Sequence, residues 1–297
     1  MIRSLRSSKK ALLGLGILAL FALVALLGPV LAPDPSAPVG VPLEPPSAEH
    51  WFGTTGQGQD VLAQTIAGTR TSLLLGLGVG LVVVAIGALV GTAAGYFGGL
   101  ADDLLSLLVN VFLIVPGLPL MVVMAAYLPP GALTTALVLV VTGWGWSARV
   151  FRAQTLALRN TDFVAAAIVG GESPLRIIAL EILPNMTSLV VSAFIGATVY
   201  AIGAHVGLEF LGLGDLSHVS WGSNLYWARN DAALITGSWW TFVPTGACVG
   251  LVGFALAMVN GALDEVGDPR LRSDPRYQRA SGGRWGGATP VLKRADA

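Results

Sequence analysis

Two ionisable side chains stand close enough in the sequence to act together, His205 and Glu209, directly after a charge-free run that ends at Ala204. Residues four positions apart share one face of a helix, where an imidazole and a carboxylate can share a hydrogen bond or exchange a proton. Ionisable groups at the end of a long apolar helix usually face protein or water. Two interpretations are therefore open: a polar lining of a pathway or gate, and a satisfied contact between helices.

The other candidates for chemistry are weak. His50 and His218 share no short spacing with each other or with His205, so the sequence predicts no metal site. The single cysteine, Cys248, excludes an intramolecular disulfide and a zinc cluster built on cysteines. The sequence contains neither a His-Glu-x-x-His nor a Gly-x-Ser-x-Gly motif, which argues against a hydrolytic enzyme.

The composition places these residues in a membrane protein. Of the 297 residues, 54% are hydrophobic and only 11% are charged, whereas an ordinary soluble domain carries about 25% charged residues. The 17 basic residues equal the 17 acidic ones, so no positive excess is available to hold a nucleic acid. Too few polar side chains remain to cover a soluble surface, and several membrane spans are expected.

Charge-free runs mark these spans. Five such runs occur, and Pro129 and Pro130 divide the third into two. A bilayer core of about 30 Å needs about 20 apolar residues in a helix, and lipid offers no partner for an unpaired backbone group. The sequence therefore predicts an all-α polytopic membrane protein with six transmembrane helices. The predicted spans cover residues 11–32, 73–96, 104–127, 132–149, 188–211 and 239–262.

The distribution of lysine and arginine predicts the orientation. With both termini in the cytoplasm, 15 of the 17 basic residues would be cytoplasmic, and only Arg70 and Arg229 would be external. Basic residues concentrate on the cytoplasmic side of membrane proteins, so this topology is preferred. Residues 1–10 and 264–297 are then cytoplasmic tails. The first span is interpreted as a retained anchor, with a cleaved signal peptide as the alternative.

Two stretches are predicted on the external side. Residues 33–71 begin as a proline-rich extended linker and end as an amphipathic segment from Asp60 to Thr69. Residues 212–238 form the second predicted external stretch. Tryptophans in or beside these stretches fit an aromatic belt at the membrane surface: Trp51, Trp221, Trp227, Trp239 and Trp240. Residues 72–263 are predicted to form a core of five helices.

The longest cytoplasmic segment, residues 150–187, is too polar to span the membrane but is patterned for helices. Asp162 is a candidate helix cap, Gly170-Gly171 is a break, and Ser173 with Pro174 begins a second helix. The apolar face of that helix comprises Leu175, Ile178, Ala179 and Ile182. A helix–turn–helix is predicted. It fits either a docking site for another protein or an amphipathic loop on the lipid headgroups.

Glycines and prolines indicate how the spans pack. Gly87, Gly91 and Gly95 recur every four residues, so they share one face of the second span and permit close approach of another helix. The alternative is the general abundance of glycine in membrane helices. Pro116 and Pro119 predict a kink in the third span, which fits either a hinge or a fixed bend.

The cytoplasmic segment resembles the signature loop of binding-protein-dependent ABC importer permeases. The residues that match at the family's spacing are Ala166, Ala167, Gly171, Ile182, Leu183, Pro184 and Asn185. Residues 50–62, 94–99, 210–214, 220–223 and 268–272 are similar, in order, to signatures of C-type permeases in the oligopeptide, dipeptide and nickel branch. The chain departs from the pattern where Ala165 replaces the usual Glu of the loop. It also departs at Gln59, Glu181, His205 and Glu209.

The resemblance implies one of two homologous permease subunits in the bacterial cell membrane. An external substrate-binding protein would deliver the cargo, and one or two kinds of cytoplasmic ATPase would hold ATP and Mg²⁺. The chain has no Gly-x-x-x-x-Gly-Lys-Ser/Thr loop, so it is expected to bind no cofactor and to be no enzyme. The resemblance implies that a loop couples the permease to the ATPase. The residues of this loop would be Phe163, Ala166, Ala167, Gly171, Ser173, Pro174, Arg176, Ile182, Leu183, Pro184 and Asn185.

Di- and oligopeptides are the cargo that the resemblance favours. The first alternative is nickel or another small solute carried by the same machinery. A polytopic membrane enzyme or a stand-alone carrier is the alternative from a different class. A carrier usually shows inverted repeats, and none is evident in this sequence.

Overall fold

The computed structural model describes residues 9–267, and every regular element in that range is helical. In chain order these are α1 (Lys9–Leu31), α2 (Val61–Phe97), α3 (Gly99–Ile114), α4 (Gly117–Tyr127), α5 (Ala132–Arg159), α6 (Asp162–Val169), α7 (Pro174–Arg176), a π-helix (Ile177–Ile182), α8 (Leu183–Asn185), α9 (Thr187–Phe210), α10 (Trp221–Asn230), α11 (Ala233–Thr236), a 3₁₀ turn (Trp239–Thr241) and α12 (Val243–Gly267). Most of both predicted tails, and the signature at 268–272, lie outside the described residues.

Within residues 9–267, five segments are long and apolar enough to cross a membrane. They are α2, α5, α9, most of α1 and the segment Trp239–Leu263. The pair α3 and α4 makes a sixth span if counted as one, with a bend of 83° between the two helices. The predicted kink is present, and Pro116 explains it. A residue before proline avoids the helical conformation, and Val115 is accordingly extended with ψ of 126°.

Helix α2 is much longer than the predicted span 73–96. Its 37 residues correspond to about 55 Å at 1.5 Å per residue, well beyond the thickness of a bilayer core. The amphipathic segment predicted from Asp60 to Thr69 is the first part of α2 rather than a separate element. Asp60 starts the helix because its carboxylate accepts a hydrogen bond from the Ala63 amide at 2.9 Å.

The stretch 33–60 folds back on itself, whereas its first half was predicted to be an extended linker on the external side. The Val39 amide donates to the Gly58 carbonyl at 2.8 Å, and the Leu43 amide donates to the Thr55 carbonyl at 3.0 Å. Proline removes donors only at its own positions, so the intervening amides can pair across the loop. The stretch is therefore a folded loop at the start of α2.

Trp221 corrects the prediction of an aromatic belt, because this side chain is fully buried. Its amide donates to Ser72 Oγ at 3.1 Å, and its ring packs edge-on against Phe21 with centroids 6.0 Å apart. Ser220 and Ser223 form a capping box at the start of α10. The box fixes the helix in the position where Trp221 points into the bundle. The segment 212–238, which was predicted to be external, is thus anchored among the spans.

Helices α2 and α5 lie in close contact along the glycine face that the sequence predicts. A Cβ atom on Gly87 would lie 2.5 Å from Ser147 Cβ, and one on Gly95 would lie 2.8 Å from Thr155 Cβ. These distances are far below van der Waals contact, so only glycine allows this separation of the two helices. The pairing holds α5, and the cytoplasmic segment that follows it, against the long α2.

Candidate functional site

The segment predicted to be cytoplasmic consists of α6, a glycine corner and a helical run that starts at Pro174. Thr161 precedes α6, and its hydroxyl donates to the Leu158 carbonyl at 2.6 Å instead of capping the helix. Asp162 is the first residue of α6, so its predicted role as the cap is wrong. Val164 is fully buried and holds α6 against the bundle.

Gly170 and Gly171 form the corner through a Schellman ending of α6. The Gly171 amide donates to the Ile168 carbonyl at 3.0 Å, and the Glu172 amide reaches the Ala167 carbonyl at 3.1 Å. Gly171 has φ of +80°, a conformation that glycine adopts at low cost. A Cβ atom on Gly171 would meet no atom within 4 Å, so the corner stands clear of the rest of the chain.

The predicted apolar face of the helical run after the corner is confirmed only in part. Ile182 is buried and Ile178 is half-buried against the core, as predicted. By contrast, Leu175 and Ala179 are exposed, and Ile177, which was not predicted, is buried. The π-helix over Ile177–Ile182 explains the change, because its hydrogen bonds join residues five apart and bring them onto one face. A pattern with the α-helical period cannot reveal this face.

Most of the residues predicted to couple to an ATPase lie on the outer side of the segment. The exposed ones are Phe163, Ala166, Gly171, Ser173, Pro174, Arg176, Pro184 and Asn185. Ala167 and Leu183 are half-buried, and Ile182 is buried. Ile182 therefore supports the segment from inside rather than facing another molecule.

Apolar side chains cover the outside of the corner. Val169 is 90% exposed and Leu175 is 75% exposed, and Phe163, Ile168 and Leu180 are also exposed. These five residues are the corner surface. Apolar side chains gathered at a corner outside the spans indicate contact with another molecule. The sequence did not lead us to predict Ile168, Val169 and Leu180 as surface contacts. Ile168 and Val169 could have been predicted, because two apolar residues directly before a double glycine indicate an exposed apolar corner.

His205 and Glu209 are enclosed within the chain, with exposures of 2% and 3%. Their side chains approach to 3.5 Å between His205 Nε2 and Glu209 Oε2. Glu209 also accepts a hydrogen bond from the Ser220 hydroxyl, just before α10. A Cβ atom on Gly222 would lie 2.5 Å from Glu209 Oε2, so α10 packs directly on this carboxylate. For Glu209 this geometry favours the contact between helices over the lining of a gate, whereas both ring nitrogens of His205 lack a hydrogen-bond partner within the described residues.

A cavity of about 460 Å³ lies between α5, α9 and α12. Its polar lining consists of Thr142, Ser147, Ser192, Tyr200 and Asn260. The Tyr200 and Thr142 hydroxyls lie 2.9 Å apart. None of the described residues that line the cavity carries a charge. The sequence could not predict this cavity, because the cavity depends on how three helices that are distant in the sequence are arranged.

The histidines of the described chain contact three different carboxylates. His50 Nδ1 lies 3.1 Å from Asp60 Oδ2, and His218 Nδ1 lies 3.0 Å from Asp215 Oδ2. Hydrogen bonds from Ser217 lower the pKa of the Asp215 carboxyl. These histidines therefore act in separate local pairs.

Comparison with known protein families identifies the family to which this chain belongs. Residues 84–272, more than half of the chain, match the family described as the binding-protein-dependent transport system inner membrane component. The chain belongs to this family. Residues 1–46 of the permease also match the N-terminal transmembrane domain of oligopeptide transport permease C. The permease is thus a membrane component of a transport system, as the resemblance of its cytoplasmic loop implies.

Several curated relatives match the permease over most of its length. The dipeptide transport system permease protein DppC of Bacillus subtilis is 33% identical, with 91% of this chain and 85% of the relative covered. The oligopeptide transport system permease protein OppC of the same organism is 30% identical, with coverages of 90% and 88%. OppC of Mycobacterium tuberculosis is 35% identical, with coverages of 78% and 79%.

Replacing Glu209 with alanine tests the two interpretations of its role. If Glu209 joins α9 to α10, the substitution removes the carboxylate that accepts from Ser220, and we expect a loss of about 1–3 kcal/mol of stability. The variant Glu209→Gln keeps an acceptor and should unfold close to the wild type. Thermal unfolding in detergent measures both. Unchanged unfolding of Glu209→Ala together with reduced transport would support the gate instead.

Asp231 fastens the external loop 33–60 to the end of α10. Its carboxylate accepts hydrogen bonds from the Gly56 amide at 3.1 Å and from Gln57 Nε2 at 3.4 Å. Burial raises the pKa of the Asp231 carboxyl, and the two hydrogen bonds offset only part of this effect. Folding therefore favours the protonated form of Asp231.

The variant Asp231→Asn is expected to flatten the dependence of stability on pH. A folded pKa above the unfolded value gives stability that is present below about pH 4 and lost as pH rises through the folded pKa. The wild-type unfolding midpoint should fall relative to that of Asp231→Asn as pH rises above about 4. Thermal unfolding of both proteins across this range measures the difference. Parallel profiles would contradict the assignment.

Proposed function

We propose that this permease forms half of the membrane pathway of an ATP-driven importer for di- and oligopeptides. The observation that carries the proposal is the neutral, polar cavity between α5, α9 and α12. A peptide offers a donor and an acceptor at almost every residue, and hydroxyl and amide groups match both without selecting side-chain charge. The names of the relatives, which refer to dipeptide and oligopeptide transport, support this cargo.

A second, homologous permease would complete the pathway. Trp146 lines the cavity and is 66% exposed, so this side is open in the single chain. A partner of similar fold facing Trp146 would close the wall and bury the indole. An external substrate-binding protein would then release peptide into the space between the two subunits.

The corner surface is the proposed contact with a cytoplasmic ATPase. The distribution of basic residues favours the cytoplasmic side for this segment and for both termini. Val164, Ile177 and Ile182 anchor the segment in the bundle, so a push on the corner would be passed to the spans. ATP and Mg²⁺ would be bound by one or two kinds of partner ATPase, with no cofactor on the permease.

Nickel is the less suitable cargo for this cavity. Imidazole and thiolate ligands hold nickel well, whereas the cavity presents hydroxyl and amide oxygens. The histidines pair with carboxylates elsewhere in the chain. A neutral polar lining fits an organic solute with many hydrogen-bonding groups.

Purification from membranes in mild detergent, with mass spectrometry of everything that accompanies the chain, tests the assembly. A second permease and one or two ATPases in near-equal amounts are expected. Uptake of labelled di- and tripeptides into vesicles carrying the complex tests the cargo. Recovery of the chain alone, also in lipid discs, would contradict the proposed assembly, and uptake of nickel without peptides would contradict the proposed cargo.

A further inference from the structure

A second cavity, of about 210 Å³, lies between α2, α3 and α5 and is separate from the proposed pathway. Its polar lining consists of Ser106, Asn110, Arg149 and Arg152. Its apolar lining includes Val90, Ala94 and Val109. Two arginines, a serine and an asparagine therefore share a small space with apolar side chains.

The two arginines differ in how their charges are balanced. Arg152 makes a two-pronged ion pair with Asp102, including Nη2 to Oδ2 at 2.7 Å, and Ser106 Oγ donates to the same carboxylate at 2.9 Å. Arg149 Nη2 donates to the neutral Asn110 Oδ1 at 2.8 Å. Asp103 also acts electrostatically on Arg152, whereas Arg149 has no ion pair within residues 9–267, so the unbalanced positive charge at the cavity is that of Arg149.

The position of the cavity along the spans indicates its depth in a bilayer. The charge-free run 71–101 ends immediately before Asp102, and the run 104–148 ends immediately before Arg149. Both ends mark the level at which apolar spans meet the headgroups. Next to Asn110 of the cavity, α3 exposes Leu107, Val111 and Ile114, which share one apolar stripe that continues along the helix away from Asp102. Charged groups at headgroup level next to such a stripe match the two parts of a phospholipid.

We propose that this cavity binds the phosphate of an anionic phospholipid, with its acyl chains along the exposed stripe of α3. Guanidinium groups bind phosphate through charge-assisted, often paired hydrogen bonds, and basic pockets between membrane helices suit such headgroups. The Arg149 guanidinium would donate to phosphate oxygens, while the Ser106 hydroxyl keeps its hydrogen bond to Asp102. The site depends on placement in a membrane but not on the identity of the cargo.

Binding of a fluorescent phosphatidylglycerol to the purified, delipidated complex in detergent tests this site. Arg149→Gln should weaken binding about fivefold, the factor that corresponds to about 1 kcal/mol. Asn110→Asp should weaken it similarly, because the new carboxylate would pair with Arg149 and repel phosphate while preserving the local contact. Arg70→Gln, an equal change of charge at an exposed position near the other end of α2, should leave binding unchanged.

The competitors distinguish the possible sources of phosphate. Unlabelled phosphatidylglycerol should displace the probe, whereas phosphatidylcholine and inorganic phosphate should not. Displacement by low millimolar inorganic phosphate would assign a free-anion site and overturn the lipid assignment. Equal affinity of the wild type, Arg149→Gln and Asn110→Asp would overturn the site itself, as would equal weakening by Arg70→Gln.

Discussion

Replacing Val169 with aspartate is expected to abolish ATP-driven transport while leaving the chain folded in the membrane. Val169 is 90% exposed, so the substitution removes almost no internal packing. In the proposed assembly, this side chain enters an apolar contact with an ATPase. A carboxylate without a partner in such a contact costs several kcal/mol, which corresponds to a loss of affinity of about 100-fold or more.

Co-purification with the ATPase and uptake of labelled peptide measure this effect. Val41→Asp is a matched control, since Val41 is 69% exposed and lies in the 33–60 loop, far along the chain from the corner. It should retain both the ATPase and transport. Normal ATPase binding and transport by Val169→Asp would show that the corner surface is not the coupling site. Equal losses in both variants would point to a general effect of the added charge.

The variant Gly91→Leu is expected to prevent folding of the bundle. A Cβ atom on Gly91 would overlap the Ala148 carbonyl and would lie 2.8 Å from Phe151 Cβ and 2.9 Å from the Arg152 amide. Two of these neighbours are backbone atoms, which can move only if α5 moves away from α2. Overpacking costs about 1–3 kcal/mol even where side chains can adjust. Here the rigid contact makes a larger loss and very little folded protein the expected result.

Gly78→Leu is the matched control for this prediction. Gly78 lies in the same helix, and a Cβ atom on it would meet no atom within 4 Å. Both variants lose the same helix-breaking residue, so they differ mainly in contact with α5. The amount of monodisperse protein after size-exclusion chromatography measures folding. Similar yields of Gly91→Leu and wild type would show that α2 and α5 are not in contact as described.

The sequence predicts best what the membrane itself dictates. Lipid demands long apolar helices, so charge-free runs locate the spans, and Pro116 locates the break between α3 and α4. The four-residue spacing of Gly87, Gly91 and Gly95 likewise identifies the face that meets α5. Each of these features follows from a local rule about backbone geometry or solvent.

Features that depend on distant contacts could not be predicted. Trp221 lies in a segment between two spans, where an interfacial tryptophan is the ordinary expectation, yet α10 carries it into the bundle against Phe21. Ile177 and Ile182 share a face only because a π-helix forms. The cavity beside Tyr200 arises from the arrangement of α5, α9 and α12, which no local spacing encodes.

The unbroken length of α2 gives the chain a mechanical property. Near its first turns, Gly68 lies against Trp221 of α10, and near its last turns Gly95 lies against α5, which leads directly to the glycine corner. A stiff rod of about 55 Å that tilts by about 5° displaces its far end by about 5 Å. Helix α2 can therefore serve as a lever that converts a small displacement on one side of the membrane into a movement on the other.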